Sequence, residues 1–148
     1  MPNLLDTDDR HRLLARLRSL KPDSPPQWGR MNAPKMLAHL SDQMRHALGD
    51  APAAPQRGPL RLPIIKQVVM YWLPWPKGRI KGPPEAFLTQ PTTWEADLAT
   101  LLRLLDRFVA AHDRATWPDH AIFGSMNSQS WARFSHRHFD HHLRQFGV

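Results

Sequence analysis

Cysteine is absent from this sequence, which excludes disulfide bonds, thiolate metal ligands and a cysteine nucleophile. Long apolar runs are absent too. None approaches the roughly 20 residues that a helix needs to cross a bilayer, so we expect no membrane span and no membrane partner. The first 20 residues carry three aspartates among their arginines and lack an apolar stretch before a small-residue cleavage site. We therefore expect a cytoplasmic protein whose chemistry uses groups other than its own thiols.

Basic residues outnumber acidic ones in a chain whose length suits one domain. The 148 residues include 20 lysines and arginines against 13 aspartates and glutamates, a formal net charge of +7. A domain commonly has about 100 to 150 residues, so we expect residues 1–148 to form a single domain. The positive charge permits anionic partners. However, the arginines are spread along the chain and no helix-turn-helix, zinc-finger or single-strand-binding signature is present, so nucleic acid is not expected as a partner.

Leucines and other apolar residues recur at helical spacing in four segments, each with a recognisable end. Asn32 is placed to cap the second helix and Gly49 to end it. Before the third helix, Thr92 and Glu95 have the spacing of a capping box, in which the two side chains bond each other's backbone amides. With no convincing strand periodicity, the pattern predicts an all-α bundle. The four helices are predicted over about 8–20, 33–48, 93–112 and from 127 or 128 to about 147.

A proline-rich, basic segment over residues 51–91 separates the second and third predicted helices. It holds nine of the fifteen prolines and, before its first acid at Glu85, six basic residues: Arg57, Arg61, Lys66, Lys77, Arg79 and Lys81. We expect it to be mostly irregular. Within it, Leu62 to Trp75 is an apolar patch long enough for a short helix over the core or an interface, and too short to span a membrane.

Three of the nine histidines fall where helices could bring them together. On the last predicted helix, His138 and His142 lie four residues apart on the inward stripe, a spacing that lets two imidazoles reach one ion. On the second, His39 borders the apolar arc. Two facing helices could present these three side chains to one divalent ion and leave a coordination position open. Three neutral nitrogen ligands suit zinc, nickel, iron or cobalt, and the spacing does not choose among them.

Other interpretations of these polar residues stay open from spacing alone. The histidines could be hydrogen-bonded core residues, and histidines near a helix C-terminus interact favourably with the helix dipole. His46 or His141 could replace one of the three. Asp42 and Gln145 are either ordinary polar residues near a helix edge and a helix end, or hydrogen-bond partners of ligating imidazoles.

Several segments together resemble the DinB/YfiT-like superfamily, in particular an uncharacterised branch of it. The resemblance extends from about residue 25 to the C-terminus, and its most specific part is the closing HFDHHLRQFG with the upstream His39-Leu40. It implies an up-down-down-up four-helix bundle, here with a long proline-rich connection between helices two and three. It also implies a metal held by His39, His138 and His142. The matching segments are Trp28–Met31, Met36–Leu40, Trp94–Asp97, Phe123-Gly124 and His138–Gly147.

The resemblance also implies a range of activities. Members of the superfamily include thiol S-transferases that use low-molecular-weight thiols, a maleylpyruvate isomerase, proteins described as metal-dependent hydrolases, and many of unknown activity. They are often dimeric, so a homodimer is allowed here. We expect a metal-dependent enzyme, with zinc or nickel as the first choice and iron, cobalt or manganese as alternatives. Its ion would activate water or a small-molecule thiol. Residues 51–84 would bind that thiol's carboxylates or form a solvated loop. The alternative is a non-catalytic stress-response or small-molecule-binding bundle.

Overall fold

The computed structural model describes residues 1–77 and 87–148, and helices are its regular elements throughout those ranges. A 3-10 turn (Pro59–Arg61) precedes α3, and a π-helical turn (Val68–Trp72) follows it. Over the described ranges there is no β-strand; a single isolated bridge pairs His120 with Gly124. For these residues the prediction of an all-α fold is confirmed. The five α-helices are α1 (Thr7–Ser19), α2 (Ala33–Leu48), α3 (Pro63–Gln67), α4 (Trp94–Ala110) and α5 (Ser128–Gln145).

Side-chain caps fix where the long helices begin. The Asn32 side chain accepts a hydrogen bond from the backbone N–H of Lys35 at 2.9 Å, as its position in the sequence predicts. Gly49 ends α2 with a positive φ of 85°, a left-handed conformation that favours glycine. The predicted capping box is wrong in detail. Helix α4 begins one residue later than expected, so Thr93 is the cap, and Thr92 bonds Asp97 instead of Glu95.

The four long helices share one apolar core. Helix α2 packs against α4 and α5, and α1 packs against α5. Eleven of the 16 residues of α2 are buried, so this helix is enclosed by its neighbours on most sides. This placement brings the polar edge of α2 against the inward face of α5. The largest side chains that are fully buried include Trp131, Phe108, Phe139, Leu4, Leu13, Leu17, Met36, Leu37, Leu40 and Met44.

In the segment between α2 and α4, residues 78–86 lie outside the described part of the chain. Two of the six basic residues of this segment, Arg79 and Lys81, are among them. The apolar patch Leu62 to Trp75 contains the predicted short helix, α3 with its π-helical turn. Met70 is buried in the core, whereas Ile64 and Trp72 are 79% and 74% exposed. Among the described helices, none combines the length and the apolar character needed to cross a membrane.

Candidate metal centre

Three imidazole nitrogens meet at the contact between α2 and α5. The Nε2 atom of His138 lies 3.0 Å from Nε2 of His39 and 3.1 Å from Nε2 of His142. All three ligand atoms lie within 4.8 Å of one another, a grouping that could hold a metal ion. For comparison, two imidazole nitrogens on a tetrahedral zinc ion, each at 2.0–2.1 Å from it, are about 3.3 Å apart. The structure therefore brings together the three histidines that the sequence selected, at a spacing close to that of ligands.

The tautomer of the neutral His142 ring is fixed by Gln145. The carbonyl oxygen of the Gln145 amide can only accept, so His142 Nδ1–H donates to Oε1 at 2.9 Å. The orientation of the amide is itself fixed, because Gln145 Nε2 donates to the carbonyl oxygen of Trp28 at 2.9 Å. Neutral His142 consequently carries its proton on Nδ1, which leaves a lone pair on Nε2 facing the other two rings. This is the arrangement that metal-bound histidines use.

The loop that holds Gln145 depends on Gly29. This glycine has a φ of +77°, and a Cβ atom added there would lie 2.9 Å from Gln145 Nε2. A larger residue would therefore be strained and would push against the amide. The backbone N–H of Gln27 also donates to the carbonyl oxygen of Gln145, at 2.7 Å. The Trp28-Gly29 segment thus packs directly on the last turn of α5, next to the three histidines.

Burial keeps the imidazoles of His138 and His142 neutral. Removal from water and, secondarily, the positive charge that His39 would carry together lower the pKa of His142 to about 3. Burial followed by the neighbouring histidines lowers the pKa of His138 well below its usual value. Aromatic rings pack against two of the three histidines: Phe87 stacks on His39 with ring centroids 4.7 Å apart, and Trp75 lies 6.0 Å from His138.

No assignment of protons turns both close contacts into hydrogen bonds. Since Nε2 of His142 bears a lone pair, the 3.1 Å contact needs a proton on Nε2 of His138. The single Nε2–H of His138 cannot also form a hydrogen bond with His39. If His39 carried its proton on Nε2 as well, the two N–H groups would face each other. One of the two contacts therefore brings two ring nitrogens about 3 Å apart without a hydrogen bond between them. A cation accepting all three lone pairs would remove the conflict, so the donor set fits a transition metal ion.

The other histidines and polar residues considered from the sequence lie outside this cluster. His46 Nδ1–H donates to the carbonyl oxygen of Ala51 at 2.8 Å, and the His141 ring packs against Trp28 and Trp75. Asp42 binds Arg45 and Thr89 and ties the chain entering α4 to α2. Of the two polar residues proposed as partners of ligating imidazoles, Gln145 has that contact, whereas the described contacts of Asp42 are structural.

Two further residues shape the site without a clear signal in the sequence. Arg137 donates to the carbonyl oxygens of Met70 and Leu73 and lies over the ring of Trp75 at 5.1 Å, so it holds that ring beside His138. His120, from the loop between α4 and α5, lines the same cavity as the three histidines. This cavity has a volume of about 800 Å³, and most of its lining is apolar. It is large enough for a drug-sized molecule.

The fold and the site together define an all-α protein with a candidate metal centre of three histidines. The chain belongs to the family described as "Protein of unknown function (DUF1569)", whose family model matches residues 2–147. No curated protein and no solved structure matches the chain.

Proposed function

We propose that this chain is a metal-binding protein of the DinB/YfiT-like type, in which His39, His138 and His142 hold one divalent transition metal ion. The observation that carries the proposal is the pair of Nε2 contacts at 3.0 and 3.1 Å. No placement of protons turns both contacts into hydrogen bonds. Zinc and nickel are the first choices, because both accept neutral imidazole ligands, and iron, cobalt and manganese are the alternatives.

The packing of the helices supports the assignment to the DinB/YfiT-like type. We propose that α1, α2, α4 and α5 form an up-down-down-up four-helix bundle, with α2 and α4 running in the same direction. A parallel pair requires a connection that returns along the full helix, about 24 Å for the 16 residues of α2. Residues 49–93 are long enough for this return. The packing of α2 on α4 and of both α1 and α2 on α5 agrees with such a bundle.

The proposed reaction class is hydrolysis or thiol S-transfer. An ion bound by three neutral ligands would supply Lewis-acid chemistry and lower the pKa of a water or thiol at its open position. Since the chain has no cysteine, the thiol must be a low-molecular-weight compound from solution. Lys77, whose Nζ lies 4.7 Å from the centre of the Trp28 ring, is the cation that we propose for a carboxylate of that compound.

The metal assignment is tested by elemental analysis of protein purified without a histidine tag. We expect about one transition metal ion per chain, removed by a chelator and by His39→Ala or His142→Ala. His141→Ala is the matched control, because this half-buried residue lies on the same helix and contacts His142 without joining the cluster. It should retain the ion. Full retention of metal in both ligand variants would overturn the site.

A second function is favoured by the apolar cavity of about 800 Å³, which suits a non-catalytic small-molecule-binding or stress-response protein. A panel of thiol-transfer and ester substrates separates the two, with each activity measured before and after removal of the metal. Turnover that the chelator abolishes supports the enzyme. Bound metal without turnover of any substrate in the panel favours the binding protein.

We also propose a cytoplasmic homodimer without a nucleic-acid or membrane partner. The exposed apolar side chains of α3 and its π-helical turn, among them Ile64 and Trp72, supply a surface that a second copy could cover. Sedimentation equilibrium of the purified chain tests this, with Trp72→Lys as the variant expected to shift a dimer toward monomer.

A further inference from the structure

One histidine of the cavity is prepared for a role outside the metal cluster. His120 belongs to a tight loop in which its backbone N–H and carbonyl each bond Gly124, both at 2.8 Å. Gly124 closes this loop with a φ of +68°, a conformation that favours glycine. The loop presents the His120 ring to the rings of Phe134, Trp131 and Phe123, with centroids 4.7, 5.3 and 5.0 Å away. The position of the ring is therefore fixed by the backbone hydrogen bonds of the loop and by the three aromatic contacts.

The hydrogen bonds of this loop decide which nitrogen of His120 carries the proton. Nδ1 accepts from the backbone N–H of Ile122 at 3.1 Å and from that of Phe123 at 3.3 Å. A nitrogen that accepts from two amides holds a lone pair, so in the neutral ring the proton is on Nε2. Within the described part of the chain, no residue forms a hydrogen bond with Nε2, and the His120 side chain lines the cavity. The result is a neutral N–H donor with a fixed direction.

This donor and the metal cluster lie along one apolar wall. The ring of Phe134 contacts both His120, at 4.7 Å, and His138, at 5.8 Å between centroids. A molecule that fills the space between the two histidines must therefore cover the length of an intervening aromatic side chain. Around it the lining is mostly apolar, with Leu60, Val69 and Trp75 among its residues. A cavity with an apolar wall and a few directed polar groups selects ligands by shape and by those groups.

We infer that the cavity takes a bicyclic-sized apolar or aromatic molecule carrying an oxygen acceptor, and that His120 Nε2–H donates to that oxygen. The inference rests on the proposed function only in that both concern this cavity. A ligand without an acceptor would displace water from Nε2–H and leave the donor unpaired, which is unfavourable in an apolar site. A ligand with the acceptor keeps the hydrogen bond. The cavity should consequently distinguish a ketone from the hydrocarbon of the same shape.

The test compares 2-acetonaphthone with 2-ethylnaphthalene by equilibrium dialysis against the full chain, both as purified and after removal of metal. We expect the ketone to bind about tenfold more tightly than the hydrocarbon, the value of one hydrogen bond whose donor would otherwise be stranded. Equal affinities for the two ligands, or no measurable binding of either, would overturn the inference. Because this comparison uses the unaltered chain, it does not depend on any variant folding.

Two variants separate ligand contact from loop structure. His120→Asn keeps an acceptor close to the position of Nδ1 and removes the donor at Nε2. His120→Gln keeps an amide N–H near the position of Nε2 and alters the acceptor. A donor role predicts that the Asn variant loses the preference for the ketone, because the hydrocarbon no longer leaves a donor unpaired there, and that the Gln variant retains a preference. A purely structural role predicts an unchanged preference in the Asn variant, which would also overturn the inference.

The metal content of the same samples distinguishes this inference from the proposed function. A chain that binds no metal but prefers the ketone contradicts the metal centre and supports the donor role of His120. A chain that binds one ion per chain and shows no preference supports the metal centre and contradicts the donor role.

Discussion

Replacing Gln145 by leucine tests whether the hydrogen bond of His142 Nδ1–H contributes to the proposed metal binding. The change preserves the approximate size of the side chain and removes both of its hydrogen bonds. His142 Nδ1–H loses its acceptor at 2.9 Å, and the carbonyl oxygen of Trp28 loses its donor at the same distance. No ligand atom is altered. Any change in metal affinity therefore comes from the orientation and basicity of the His142 ring.

The expected magnitude follows from the role of such outer partners. Loss of the group that holds a ligating histidine typically lowers metal affinity about 10- to 100-fold. This corresponds to about 1.4 to 2.7 kcal/mol of binding free energy. Both Gln145 and His142 are buried, so water is poorly placed to replace the lost acceptor. We also expect the free energy of unfolding of the metal-free protein to fall by about 1 to 3 kcal/mol, because buried groups lose their partners.

Competition for zinc with a chromophoric chelator measures the affinity, and urea unfolding of the metal-free protein measures the stability. Gln145→Glu is the matched control, because a carboxylate still accepts from His142 Nδ1–H but cannot donate to Trp28. It should lose stability and keep its zinc affinity. If Gln145→Leu bound zinc as tightly as the unaltered chain, the reasoning that links this amide to the metal centre would be refuted.

Two further predictions concern stability. His120 has its pKa lowered to about 3 by burial and, secondarily, by the charges of His46 and Lys66. The unfolded state therefore binds the extra proton below its usual pKa of about 6.5, so the stability of the metal-free protein should decline as the pH falls from there toward 3. Urea titrations at several pH values should show a shallower decline for His120→Asn, and an equal slope in the two proteins would contradict the assignment. The buried carboxylate of Asp42 accepts from the backbone N–H of Thr89 with one oxygen and from Arg45 with the other, each at 2.9 Å. An amide has a single acceptor oxygen, so Asp42→Asn should cost about 1 to 3 kcal/mol in urea unfolding. An unchanged midpoint would show that this contact does not hold the segment before α4.

The helices were predictable because the signals that begin and end them are local. Asn32 lies three residues before the amide that it caps, and Gly49 supplies the left-handed residue after the last turn of α2. The error at α4 has the same local origin. Two adjacent threonines offered two possible caps, and choosing Thr92 shifted the expected partner to Glu95, whereas Thr93 is the cap. Periodicity does not distinguish neighbouring caps of equal chemistry.

The candidate site was predictable in part for the same reason. His138 and His142 share a face because four residues make about one helical turn, which the sequence alone establishes. Their convergence with His39 depends on the packing of α2 against α5 across 99 residues of sequence, and there the resemblance supplied what spacing could not. For Gln145, the stripe of α5 indicated its direction. Its second hydrogen bond, to Trp28, joins residues 117 apart and has no local signal.

The role of His120 illustrates what sequence patterns leave out. It lies in an irregular loop, where no periodicity assigns a direction to a side chain. Its proton position follows from two backbone amides, those of Ile122 and Phe123, which point at Nδ1 only because the loop closes at Gly124. Before the loop conformation is known, nothing distinguishes His120 among the histidines that lie outside the predicted metal site. The fold turns it into a donor of known direction.

Charge balance connects the ligand set with the proposed chemistry. Three neutral imidazoles leave the charge of a divalent ion uncompensated, and the surrounding cavity is mostly apolar. Among the described residues that line it, Asp119 supplies the one carboxylate, and that side chain is 56% exposed and paired with Arg61 at 3.4 Å. The balancing anion would therefore come from solution, and a low dielectric strengthens that demand. A site with this electrostatic character favours ionisation of a weak acid such as water or a thiol, which is the property that hydrolysis and thiol transfer both require.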